Sequence, residues 1–114
     1  LIMEDGEKRI SQEDCNEDSL GPGILTLTNK RLAFDKTKSR IMDFTKQMGE
    51  TILDVPLEDV IKTWKEGLLM KKVCFTAKID KEEQTYKFGV FNTKGWLKTI
   101  EKTIEEKTKQ KDSQ

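Results

Sequence analysis

Five cations lie close together in the chain, Lys30, Arg31, Lys36, Lys38 and Arg40, and four apolar residues, Ile41, Met42, Phe44 and Met48, follow them. Arginine offers a planar fork of donors and lysine a mobile point charge, so the mixture suits a phosphorylated head group. The apolar residues behind it suit the interfacial zone of a membrane. They equally suit a contact patch rimmed by charge, of the kind a protein partner covers. Two plainer readings attach to the same residues. Lysines on a sheet edge keep sheets from pairing, and the four apolar side chains can patch an open end of a core.

Catalytic chemistry has no comparable cluster. The chain contains no histidine, so the usual proton shuttle near neutral pH is missing. Cys15 and Cys74 stand far apart, form no CxxC pair and have no histidine to complete a zinc site. Neither they nor any serine lies in a nucleophile motif. The paired acids Glu82-Glu83 and Glu105-Glu106 read as a charged turn and a solvated helix face. An enzyme is not expected, nor is a metal site or a cofactor; a binding module is. The thiols are expected to be reduced, with Cys74 packed as a small hydrophobe and Cys15 exposed among acids. A disulfide between them stays open.

Hydrophobic residues make up 34% and charged residues 37% of 114, which is material for one compact core and not two. Basic and acidic residues balance at 21 each, removing the broad positive field that gathers nucleic acid. Charge-based recognition must be local. No apolar run nears the roughly 20 residues that span a bilayer, and Leu1-Ile2-Met3-Glu4-Asp5 lacks the layout of a signal peptide. The expectation is a cytoplasmic domain, at most peripheral to membranes. The chain opens on Leu1 and ends in a polar run from Lys107 to Gln114, so it is expected to belong to something larger.

The elements that must position these residues are strands. From Gly23 to Phe34 apolar residues alternate with polar or small ones on both sides of Asn29-Lys30. That predicts a β-hairpin with Leu25, Leu27, Leu32 and Phe34 on one face. Upstream, residues 7–13 read as a weak edge strand and 14–22 as a loop ended by Gly21-Pro22-Gly23, its acids serving solubility. Downstream, 35–50 fits neither period and reads as a long connection with room for one helical turn. Alternation returns from Thr51 to Leu57, bent or closed at Pro56, and again from Val60 to Trp64, before a turn at Lys65-Glu66-Gly67. Trp64 is a further candidate for a partner contact, though a tryptophan on a strand is more often core. Val73 to Ile79 is a further strand, Asp80 to Gln84 a charged hairpin turn, and Tyr86, Phe88 and Val90 the inward set of the return strand. Six or seven strands so spaced point to a sandwich or a barrel. The period then changes to 3.6. Asn92 is a good N-cap, Phe91 and Trp96 stand at the positions of a hydrophobic staple, and Trp96, Leu97, Ile100 and Ile104 share one stripe. An amphipathic helix is predicted, covering an open end of the sheet and fraying beyond Lys107.

The run Gly23-Ile24-Leu25-Thr26-Leu27-Thr28-Asn29-Lys30-Arg31-Leu32-Ala33-Phe34 resembles the hairpin of GRAM domains and of the GLUE branch of the pleckstrin-homology superfold. Val55-Pro56-Leu57-Glu58-Asp59-Val60 resembles the proline-containing strand that comes next in GRAM sequences. Tyr86-Lys87-Phe88 and the helix with Trp96 complete the match, which covers residues 5–106. The resemblance implies one such domain over residues 1–106, and the end of the apolar stripe leaves 107–114 as a frayed polar tail. Its fold would be mainly β (α+β), a seven-stranded pleckstrin-like β-sandwich or partly open barrel capped by a C-terminal α-helix. It also implies recognition without catalysis. The ligand would be an anionic, phosphoinositide-type lipid head group, recruiting a parent protein in membrane traffic. The alternative is a protein such as ubiquitin or a short peptide, or an acidic disordered segment, as for a similar hairpin in a general transcription factor subunit. Lipid-binding members place a lysine and a paired arginine motif around the first hairpin, and Lys8-Arg9 followed by acids departs from it.

Overall fold

A computed structural model of the chain describes the backbone of residues 1–40 and 43–112, and the side chains of these except 38–40, 43–48 and 111–112. Seven strands come in order, β1 (Arg9–Glu17), β2 (Gly21–Thr28), β3 (Arg31–Arg40), β4 (Asp43–Pro56), β5 (Val60–Glu66), β6 (Lys72–Ile79) and β7 (Glu82–Gly89). A single 3-10 turn, Leu57–Asp59, joins β4 to β5, and the helix α1 (Thr93–Asp112) closes the chain. The strands form one antiparallel sheet in the order β4-β3-β2-β1-β7-β6-β5. Among the described residues β4 and β5 are its two edges, and it does not close into a barrel.

Period-two alternation builds the core. Leu25 pairs with Phe34 and Leu27 with Leu32 across β2 and β3, so all four side chains leave on one face, and all are buried. Val73, Phe75 and Ala77 of β6 and Phe88 of β7 supply the other half of that face. Two strands, β2 and β1, separate β3 from β7, yet the Phe34 ring meets the Phe88 ring edge-on at 5.3 Å. The sheet therefore curls on itself. Phe75 stacks on Phe88 at 5.6 Å and leans on Tyr86 at 5.8 Å, continuing the aromatic seam. Gly23 makes the curl feasible: a Cβ there would stand 2.4 Å from Phe34 Cζ and 2.6 Å from the Asp35 carbonyl.

The helix covers this face as its stripe predicts. Trp96 and Ile100 are buried in the core, with Leu97 and Ile104 packed at its margin. Asn92 caps it, its Oδ1 accepting from the Gly95 N–H at 3.0 Å. The staple is absent, because Phe91 turns out to solvent. The helix also continues to Asp112, past the end of the apolar stripe near Lys107.

Three further expectations need correction. Residues 14–22 are not a loop: β1 runs to Glu17, and Gly21-Pro22-Gly23 begins β2, with Asn16 opposite Pro22. Proline is tolerated there because it stands at the start of a strand. Residues 35–40 and 43–50 are not a connection either. They belong to β3 and β4, paired by backbone, Thr37 with Met48 and Lys38 with Gln47, with bulges that break the register. Backbone pairing needs no apolar alternation, and bulges erase whatever alternation there is. Cys15 is buried rather than exposed, since its place on β1 opposite Gly23 turns it into the core. Both cysteines are free thiols.

The acid-rich first segment does more than solubilise. Glu17 is buried, and its carboxylate accepts from the Ser19 and Leu20 N–H groups, the Ser19 hydroxyl and the Lys87 N–H, at 2.7 to 2.9 Å. Burial pushes its pKa up, but these donors outweigh burial and hold it below the usual carboxylate range. Glu17 thus organises the β1–β2 turn and locks it to β7.

Candidate functional site

The β5–β6 hairpin is the most exposed apolar feature of the described residues. Gly67 has a φ of +102°, and a Cβ on it would lie 2.2 Å from the Met70 carbonyl oxygen. Only glycine fits. The chain thereby doubles back so tightly that Leu68, Leu69 and Met70 stand clear of the sheet, 96%, 98% and 79% exposed. Lys65 and Lys71 flank them; both are exposed, and neither has an ion-pair partner among the described residues. Lys72, one residue further, pairs with Asp18 at 2.7 Å.

Side-chain contacts tie the base of this hairpin together. Lys62 lies over the Trp64 ring at 5.2 Å, and the Trp64 indole donates to Glu66 Oε2 at 3.0 Å. The other Glu66 oxygen takes Lys87 Nζ at 2.8 Å. The Lys87 ammonium, with the indole, holds the Glu66 carboxyl below its usual range. Trp64 is half-buried on the sheet's outer side, opposite Cys74, and not in the central core.

Lys30 and Arg31 come together at the β2–β3 turn, but with acids rather than with an open basic rim. Arg31 Nε and Nη2 donate to the two oxygens of Glu7 at 2.8 and 2.9 Å, and Nη1 donates to Asp54 Oδ2 at 2.7 Å. Lys30 Nζ donates to the Asp5 carbonyl at 2.9 Å and pairs with Glu4 at 3.5 Å. The arginine fork holds the Glu7 carboxyl down at about 2. These cations fasten the first residues of the chain to the hairpin. Lys36 is exposed on β3, opposite Gly23. Lys38 and Arg40 lie further along β3, and Phe44 and Met48 on β4, with side chains outside the described residues; Ile41 and Met42 lie outside them altogether.

A concavity lies beside the β5 edge, where α1 packs against it. It holds about 410 Å³ lined by Leu57, Glu58, Val60, Ile104 and Lys107, and continues into about 220 Å³ bounded by Ile61, Thr63 and Glu101. No group of three or more metal-ligating side chains occurs among the described residues. Among the described residues no helix is long and apolar enough to cross a membrane.

Sequence reasoning missed Leu68, Leu69 and Met70. Their signal was three consecutive apolar residues at a chain reversal, where neither period accounts for burial. No protein-family model matches the chain, and no curated protein matches it.

Proposed function

We propose that this domain is a non-catalytic, pleckstrin-like adaptor module that recruits the protein carrying it to anionic membrane surfaces. One observation carries the reading: three consecutive apolar side chains at a hairpin tip, flanked by two lysines with no ion-pair partner among the described residues. Water is a poor solvent for such a tip. Each side chain gains up to about 1.5–3 kcal/mol on leaving it, and each lysine about 1 kcal/mol beside an anionic leaflet. Together these give weak, reversible recruitment. Phosphoinositide-type lipids are one source of the negative charge. The sheet order and the helix lying across its concave face are compatible with the GRAM-like plan that the sequence resembles.

Cosedimentation with vesicles tests this. The domain should pellet with phosphatidylcholine vesicles containing phosphatidylglycerol, less so as salt rises, and not with phosphatidylcholine alone. The Lys65→Glu, Lys71→Glu double variant should stay in the supernatant. No pelleting with the anionic vesicles at low salt would end the reading.

A second reading rests on the open β5 edge beside its groove. A short extended peptide adding to that edge could place one apolar side chain between Val60 and Ile104.

A further inference from the structure

We infer that the domain meets the bilayer at two points, with Phe91 as the second anchor beside the β5–β6 tip, so that it docks in one fixed orientation. This rests on the membrane reading above and adds to it a residue and a geometry.

Phe91 is 98% exposed although its position in sequence suits a helix staple. Its backbone explains why. The Phe91 N–H is held by Glu13 Oε2, and Val90 just before it is buried in the core. With Val90 turned in, Phe91 is turned out. The strand register then fixes where it stands. Val73 of β6 pairs with Phe88 of β7, so the turn that precedes β6 and the chain that leaves β7 project from the same end of the β5-β6-β7 portion of the sheet. The exposed tip and the exposed phenyl ring share that end. Charge repeats the pattern: Lys94 stands three residues after Phe91, exposed and without an ion-pair partner among the described residues, as Lys65 and Lys71 flank the tip. Apolar groups flanked by such lysines match the two layers of an anionic membrane surface, acyl chains below and phosphates above. A single point of contact would leave the domain free to swing about it. Two anchors on one end of a sheet do not.

Nitroxide labels at Phe91→Cys, Leu69→Cys and, as a control, Gln84→Cys test the geometry, since both native thiols are buried and Gln84 is exposed on the other stretch of β7, near the β6–β7 turn. With phosphatidylcholine vesicles containing phosphatidylglycerol, labels at 69 and 91 should both gain collisions with oxygen and lose them with a soluble nickel chelate, while the label at 84 should not change. Phe91→Ser should weaken vesicle binding by roughly tenfold and leave the unfolding midpoint unchanged. A label at 91 that stays in water while that at 69 enters the bilayer overturns the second anchor and leaves the membrane reading standing. No entry at either site, with no pelleting of the unsubstituted domain, overturns both.

Discussion

The Trp96 indole donates from Nε1 to Glu13 Oε1 at 3.0 Å, joining the first turn of α1 to the middle of β1. The other Glu13 oxygen takes the Phe91 N–H. One carboxylate therefore anchors the helix, aims the core-filling indole, and sets the path of the segment between β7 and α1. Glu13→Ala should cost about 1–3 kcal/mol, because a buried indole N–H loses its acceptor. Urea unfolding followed by tryptophan fluorescence measures it.

Arg31 and Glu7 should respond asymmetrically to truncation. The Glu7 side chain is fully buried, whereas Arg31 also reaches Asp54. Arg31→Ala leaves the buried Glu7 carboxylate only the Thr28 hydroxyl and the Glu4 N–H as donors, with no counter-charge, and should cost about 3–5 kcal/mol. Glu7→Ala leaves Arg31 with Asp54 and should cost less, by the same urea titration.

Acid should weaken the fold through this pair. The arginine fork holds Glu7 at about 2, below its ordinary value of 4.5. A carboxyl lowered on folding stabilises fully above its unfolded pKa, and that contribution is lost as pH falls through the folded one. Unfolding midpoints should therefore drop between pH 4.5 and 2, and Glu7→Gln should flatten part of that slope. The remainder belongs in part to Glu17, whose carboxyl is also held low.

The period-two core was legible in the sequence: Leu25, Leu27, Leu32 and Phe34 share one face, and Trp96 and Ile100 cover the sheet, as their spacing requires. Polar structure was not. Glu7, Glu13 and Glu17 look alike in a run of acids, and only tertiary neighbours distant in sequence distinguish an acceptor from a solvated charge. Two of the candidate cations show the same principle in reverse. Lys30 and Arg31 have the right chemistry for phosphate, but Glu4, Glu7 and Asp54 fold onto them. Phe91 has the right position for a staple, but Glu13 holds its backbone so that the ring faces water.

Gly23 tests the curl of the sheet. Its neighbours leave no room for a methyl group, so Gly23→Ala should destabilise by about 1–3 kcal/mol through overpacking. In a Phe34→Leu background, where the ring edge is gone, the same change should cost less. A double-mutant cycle by urea unfolding gives the coupling.

Both thiols should be inert in the folded protein. Burial pushes Cys15 up to about 12 and Cys74 up to about 11, leaving little thiolate at pH 8. Ellman's reagent should react slowly with the native domain and with both thiols in urea.

Vesicle flotation of a tip variant bears most directly on recruitment through the β5–β6 turn. The substitutions Leu68→Ser, Leu69→Ser and Met70→Ser touch only exposed side chains, so the melting curve should not move. Membrane docking predicts that the unsubstituted domain floats with phosphatidylglycerol-containing vesicles and the triple variant stays at the bottom of the gradient. A triple variant that floats as well as its parent would contradict it.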